Sequence, residues 1–288
     1  MRVFDYITHP HVGDNIICTG AVANVRACFP DIFFKMPLSH SEICLYNEDY
    51  VIDPMMYVPL GKITYGSLDD EQHGRNGNVV EGFTKSLCGL LGLPMVPITT
   101  RVPILHLSEA EREASKRWNG KILLNANCQT VSRSKGYPHW QEVVNRLKGY
   151  DIVQIGGNQA KDISPNLRGV YDMRGKTSLR DLIVMVYGCD MVLSPPSCIS
   201  NIAGAFVKPQ IIVNASREPD VLLDYPNAVH ISARSQCGWG VETGCICCRI
   251  GEGTRACQDW MPDGGTRWCR CQWEIPPERI VGCVKSAL

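Results

Sequence analysis

The stretch SLRDLIVMVYGCDMVLSPPSCISNIAGAFVKPQIIVNA, Ser178 to Ala215, sets two periodicities side by side. Leu179, Leu182, Ile183 and Val186 recur at helical spacing, and Ser178 stands where a helix N-cap belongs. MVLSPP then reads as a strand. SCISNIAGAFVKP reads as a helix with Ile199, Ile202, Ala203 and Phe206 on one face, and PQIIVNA as the next strand. Strands this apolar, alternating with helices, belong to a parallel sheet covered on both faces.

The same alternation continues on either side. KILLNAN (121–127), DIVQIGG (151–157) and AVHISA (228–233) read as strands. HWQEVVNRLKG places Trp140, Val143, Val144 and Leu147 on one helical face and stops at Gly149. Towards the N-terminus, VFDYIT, IFFKM and EICLYN read as strands, and GAVANVRACF and VVEGFTKSLCGLL as helices. Val80, Phe83, Leu87 and Leu90 line the second of these. PLGKITYGSLDDEQHGRNGN (59–78) is polar and glycine-rich and reads as a loop. LSEAEREASKRWNG fits a surface helix or linker. The expected organisation is two doubly wound α/β halves, 1–117 and 118–234, followed by a third unit, 235–288, that is rich in cysteine and ends in the short helix PPERIVGCVKSA.

The chain has 288 residues, 44% of them hydrophobic and 20% charged, a globular composition. Lys+Arg and Asp+Glu both number 29, which argues against a protein held on nucleic acid mainly by charge. There is no apolar run of the ~18–20 residues a membrane span needs. MRVFDYITHPHVGDN has no apolar core like that of a signal peptide, so the expectation is a cytoplasmic enzyme with no membrane span.

Doubly wound halves bind ligands beyond the carboxyl ends of their strands and in the crevice between domains. Three segments fall there. In HVGDNIICTGAVANV, Gly13 and Asp14 lie in a turn between strand and helix; Asp14 either caps the helix or accepts a proton from an attacking hydroxyl. In NANCQTVSRSKGYPHW, Thr130, Ser132, Arg133 and Lys135 are donors with no balancing acid, a composition that suits phosphate unless the loop is simply solvated. In SPPSCISNIAGAF a helix begins directly after a strand, so Ser197 either caps it or shares an anion site with its free amides. Asp172, Arg174, Gly175 and Lys176 precede another helix and would flank a nucleotide in the same crevice. Neither GxGxxG after a strand nor GxxxxGK[ST] occurs, and LDDEQ (68–72) sits in the polar loop, not at a strand end.

Taken in order, GDNIICTGAVANVRACFPD, SKGYPHWQEVVNRL, IGGNQAKDI, MRGKTSLRDLIVMVYGCDMVLSPPS and IAGAFVKPQIIV resemble the heptosyltransferase family of glycosyltransferases. That resemblance implies a GT-B fold of two Rossmann-like domains, the first for the acceptor and the second for a nucleotide sugar, typically ADP-heptose. It implies Asp14 as catalytic base, Lys135 and nearby hydroxyls on the donor diphosphate, and the turn at Ser197 and Cys198 facing the sugar. The family usually carries Asp-Ser-Gly in that turn, with a His shortly after; here Pro196-Ser197-Cys198 and Asn201 stand in those places. The expected reaction moves a sugar from a nucleoside diphosphate to a hydroxyl of a glycan, a protein or a modified nucleic-acid base. Lys135, Arg133 and the helix start stabilise the leaving diphosphate without a divalent metal.

The seven cysteines before residue 237 are scattered, and singles such as Cys18, Cys28, Cys88 and Cys189 read as small buried hydrophobes. Eight more fall between Cys237 and Cys283. Cys245 and Cys248 have metal-knuckle spacing, and the loops around them hold few core formers; a metal, disulfides and free thiols are the three readings. The protein-modifying autotransporter heptosyltransferases, which this chain resembles here, carry a four-cysteine iron finger. By that resemblance the expected ligands are Cys245, Cys248, Cys257 and Cys271, with Cys269 as the alternative fourth, around a structural zinc or iron. An inactive scaffold of the same fold and a zinc-knuckle nucleic-acid-binding protein are the competing functions.

Overall fold

The computed structural model describes residues 2–7, 11–35, 37–52, 56–63, 69–70, 74–75, 77–129, 135–157, 162–214, 220–232, 260–263 and 266–288. In the first half these form β1 (Arg2–Ile7), α1 (Val12–Cys28), β2 (Ile32–Lys35), β3 (Tyr50–Val51), β4 (Val58–Lys62) and α2 (Val79–Leu91), followed by the connecting helix α3 (Glu109–Ser115). In the second half they form β5 (Lys121–Asn125), α4 (Trp140–Arg146), β6 (Asp151–Ile155), β7 (Tyr171–Asp172), α5 (Leu179–Gly188), β8 (Met191–Ser194), α6 (Cys198–Ala205), β9 (Gln210–Asn214) and β10 (Ala228–Ser232). The C-terminal helix is α7 (Pro277–Ala287).

Both main sheets are parallel throughout. The first has four strands in the order β3-β2-β1-β4, the second six in the order β7-β6-β5-β8-β9-β10. The strand order therefore reverses between β1 and β4 in one sheet and between β5 and β8 in the other. A crevice opens at the carboxyl ends of the strands at each such point.

Strand alternation divides the core. Leu123 and Val192 point to one face of the second sheet, into a cluster that continues through Ile183 and Ile202 to Ile16, Phe34 and Leu87 of the first half. Ile122, Leu124, Met191 and Leu193 point to the opposite face, where Trp140 and Val143 of α4, with Leu147 just after it, cover them. Ile280, Val281 and Val284 of α7 join this second cluster, so the end of the chain folds back onto the second sheet.

Four local expectations are revised. EICLYN is not a strand: Leu38–Cys44 is a tight 3₁₀ segment, and Tyr46 takes a positive φ of 62°, which an extended strand does not allow. Part of the polar stretch after residue 58 is the edge strand β4, which the reading missed because an edge strand needs little apolar pattern. Cys28, read as a small buried hydrophobe, is exposed at the end of α1. Helix α1 begins at Val12, so Gly13 and Asp14 lie in its first turn and not before it. By contrast Ser178 caps α5 as read, its hydroxyl accepting from the Asp181 amide at 3.0 Å.

One side chain ties the halves together. Arg180, on α5, makes two charge-assisted bonds to Glu111 of α3, at 2.6 and 2.7 Å. It also donates to the carbonyls of Glu42 (3.1 Å) and His106 (2.7 Å). Glu111 completes a capping box with Ser108 at the start of α3. Arg180, first, with the Ser108 amide and hydroxyl, holds the Glu111 carboxyl down at about 2. Because this pKa is depressed on folding, the stabilisation is complete above the unfolded value of about 4.3 and disappears as pH falls towards 2. Glu111→Gln should therefore melt below wild type at pH 6, with the difference shrinking as pH falls from about 5 towards 3. A difference independent of pH would contradict the charge-based account.

Candidate active site

The switch point of the second sheet is built from the ends of β5, β6 and β8. Asn125, the last residue of β5, is buried; its Nδ2 donates to Ser197 Oγ at 3.3 Å and its Oδ1 accepts from the Asn127 amide at 3.1 Å. Gly156 follows β6 with φ of 130°, and a Cβ there would lie 3.0 Å from Asn125 Oδ1. A side chain at 156 would thus meet both steric and backbone strain. After β8, Ser200 Oγ donates to the Pro195 carbonyl at 3.0 Å and accepts from the Ser197 amide at 3.3 Å. Since its single proton is committed to Pro195, Ser194 Oγ donates to it across 2.9 Å.

These bonds fix the turn Pro195–Ser197 and aim the first turn of α6 into the crevice. Ser197 is the N-cap, and the amides of Cys198 and Ile199 have no carbonyl one turn earlier within the helix to receive them. Burial pushes the Cys198 thiol up to about 11, while the Ile199 and Cys198 amides pull the other way.

The first turn of α1 sits opposite. Asn201 Nδ2 donates to the Gly13 carbonyl at 3.2 Å, bridging the two halves. A Cβ on Gly13 would stand 3.2 Å from that amide nitrogen and 3.7 Å from Cys198 Cα, so the absent side chain permits the approach. Asn201 is itself aimed by Tyr225, whose buried hydroxyl donates to Asn201 Oδ1 at 3.0 Å. Asp14 is the next residue along α1 and is buried, 7% exposed. Together with burial, the larger effect, it raises the Cys18 thiol one turn further on. Gly13, Cys198, Ser197 and Asn125 are therefore neighbours, and Asp14 is the next residue along α1.

The other expected residues are less concentrated. Lys135 is half-buried in the segment leading to α4. Thr130, Ser132 and Arg133 lie outside the described residues. Gly175 follows β7 and donates its amide to the Gly156 carbonyl at 2.9 Å, which places it beside the end of β6. The Lys176 ammonium folds back on the Asp172 carbonyl at 2.6 Å. Arg174 is consumed by Asp172, Ser164, Pro165 and Asn166, so it pins its own loop. Arg174 also holds Asp172 down at about 2.

Of the cysteine set, Cys245, Cys248 and Cys257 lie outside the described residues, and of Cys269 only the strand backbone is described. Cys271 is half-buried against the cluster that α7 covers. Among the described residues no three ligating side chains form a metal site. Sequence reasoning missed the roles of Asn201 and Tyr225. They are 24 positions apart, and the bond that joins the halves runs from Asn201 to Gly13, 188 positions away; the only signal was a polar residue on the buried side of an apolar helix.

The start of α1 and the start of α6 meet where two parallel, helix-covered sheets of the double-Rossmann kind adjoin. The chain belongs to glycosyltransferase family 9 (heptosyltransferase), whose family model matches residues 71–247. It is a glycosyltransferase that uses a nucleotide-sugar donor. The fold is that of the ADP-heptose lps heptosyltransferase II of E. coli (13% identity, 100% of this chain and 98% of that one, TM-score 0.66). It is also that of a family 9 glycosyl transferase from Veillonella parvula (11% identity, 99% and 96%, TM-score 0.67). A third similar structure is TibC of enterotoxigenic E. coli, an iron-containing dodecameric glycosyltransferase (14% identity, 99% and 75%, TM-score 0.62). No curated protein sequence matches the chain. Among the described residues, no helix is long and apolar enough to cross a membrane.

The bridge between halves is testable by stability. Asn201→Ala leaves the buried Tyr225 hydroxyl without its acceptor, an expected loss of about 1–3 kcal/mol in denaturant unfolding. Adding Tyr225→Phe should recover part of it, because both polar partners are then gone. Wild-type stability of Asn201→Ala would contradict the bridge.

Proposed function

We propose that Asp14 is the general base of sugar transfer and that the first turn of α6 holds the donor diphosphate. The observation that carries this reading is the Gly13–Asn201 contact, which sets the start of α1, with Asp14, against the start of α6. An acceptor hydroxyl gives its proton to the Asp14 carboxylate as its oxygen bonds to the anomeric carbon. The bond from that carbon to the β-phosphate oxygen breaks, and the nucleoside diphosphate leaves with the electron pair. Negative charge grows on the diphosphate and meets the Cys198 and Ile199 amides of α6 beside Ser197, with Lys135, Arg133, Thr130 and Ser132 from the sequence between β5 and α4. Gly175 and Lys176 line the nucleotide side. Charge and dipoles of this kind do the work without a divalent ion.

The donor proposed is ADP-heptose or a related nucleoside diphosphate sugar: TibC has been solved in complex with ADP-D-β-D-heptose, and the E. coli heptosyltransferase WaaC with ADP. The acceptor proposed is a hydroxyl of a glycan, with a protein or a modified nucleic-acid base as the other acceptor classes. Residues 1–117 are proposed to hold the acceptor and 118–234 the donor. Pro196, where the family usually has Asp, removes a carboxylate from the sugar side of the turn and favours either a changed sugar or an inactive scaffold. ADP binding without transfer from any nucleotide sugar would mark the scaffold.

Asp14→Asn should bind ADP as wild type does while its turnover falls by roughly 10² or more, the range for a lost general base. Turnover equal to wild type would remove Asp14 from the mechanism.

For residues 235–288 we propose a structural finger with Cys245, Cys248, Cys257 and Cys271 as ligands of zinc or iron, and Cys269 as the alternative to Cys271. Support comes from the C-x₂-C spacing and from Cys271, which leads into a segment anchored on the second half. There Tyr137 Oη donates to the Ile275 carbonyl at 2.9 Å, and the His139 ring contacts the Trp273 carbonyl at 2.9 Å. TibC, with which the chain shares its fold, is iron-containing. Thiolates grouped as metal ligands also go with the reducing cytoplasm proposed here as the protein's location. Purified protein should carry about one metal equivalent, and Cys245→Ser should lose it together with stability, since structural metal binding is folding energy. A fully stable, metal-free wild type under reducing conditions would contradict the finger.

A further inference from the structure

The opposite end of the second sheet carries a cavity of about 410 Å³. It lies at the amino ends of β5, β6 and β7, one strand length, roughly 13 Å, from Asn125 and the crevice. Three aromatic residues line it: Trp118, which is buried, Tyr150, which is half-buried, and Tyr171, which is 64% exposed on the edge strand. Ile152 contributes apolar surface. Lys121 and Asp151, the first residues of β5 and β6, complete the lining with Val153 and Gly169, and pair with each other at 3.1 Å.

This composition restricts the occupant. The one ammonium is already matched by the one carboxylate, so there is no surplus positive charge for phosphate. One paired carboxylate is too little for a divalent cation. What remains is a neutral molecule with a flat apolar face and a rim of hydroxyls. Aromatic rings accept the C–H face of a pyranose, and a carboxylate beside an ammonium offers both an acceptor and a donor to neighbouring hydroxyls. We propose that this cavity is a second carbohydrate site, which binds one sugar ring of a glycan away from the point of transfer. The site is distinct from the donor crevice and needs no nucleotide.

Saturation-transfer NMR titration tests it, using the methyl glycosides of glucose, galactose, mannose and N-acetylglucosamine, with adenosine as the competing flat ligand and no nucleotide sugar present. At least one glycoside should bind saturably to the wild-type chain. Tyr171→Ala, at an exposed position that does not threaten the fold, should weaken that binding about tenfold, and Asp151→Asn should also weaken it. Equal binding to Tyr171→Ala, adenosine as the sole binder, or no saturable binding by any glycoside would overturn the proposal. Since no transfer is measured, failure here leaves the transferase reading intact, and failure of that reading leaves this site intact.

Discussion

Two helix starts from different halves of the chain meet across Gly13 and Asn201. Each helix carries about half a positive charge at its amino end, so bringing two together is unfavourable unless something negative or polar lies between. The Gly13 carbonyl supplies part of that compensation, and Tyr225 keeps Asn201 turned so that its Nδ2 donates to that carbonyl. Asp14, in the first turn of α1, adds a carboxylate at the same place. In the proposed reaction a diphosphate takes up the remaining positive potential, so that one packing arrangement would serve both the proposed base and the proposed donor site.

The rest of the fold holds that arrangement. The apolar cluster facing the first half runs unbroken from Phe34 and Leu87 to Leu123 and Val192. Arg180 adds a polar clamp, reaching Glu111, His106 and Glu42 from a single helix position. Because Glu111 also caps α3, the clamp and the connecting helix form together. Apolar packing and the Arg180–Glu111 ion pair therefore both join the two halves.

Much of this was legible in the residues. The second sheet could be read from KILLN, DIVQI, MVLS and QIIVN because buried parallel strands are nearly unbroken apolar runs. The caps at Ser178 and Ser197 followed from their position between strand and helix. The first half was harder to read. β3 has only two residues, β4 is an edge with mostly exposed residues, and Tyr46 interrupts an otherwise strand-like run by its backbone. Gly13, Asp14 and Ser197 were placed in the crevice by topology alone, since each follows a strand. Asn201 and Tyr225 were not, because a bond between halves leaves no local pattern. The cysteine set was visible only as spacing, and spacing does not choose between zinc and iron.

The account turns on where the diphosphate lies, so the most direct measurement is a crystal structure of the chain with ADP. The prediction is that β-phosphate oxygens sit at about 3 Å from the Cys198 and Ile199 amides, with Asp14 on the facing lip. ADP bound away from the β5–β8 switch point, or with its diphosphate turned away from α6, would contradict it.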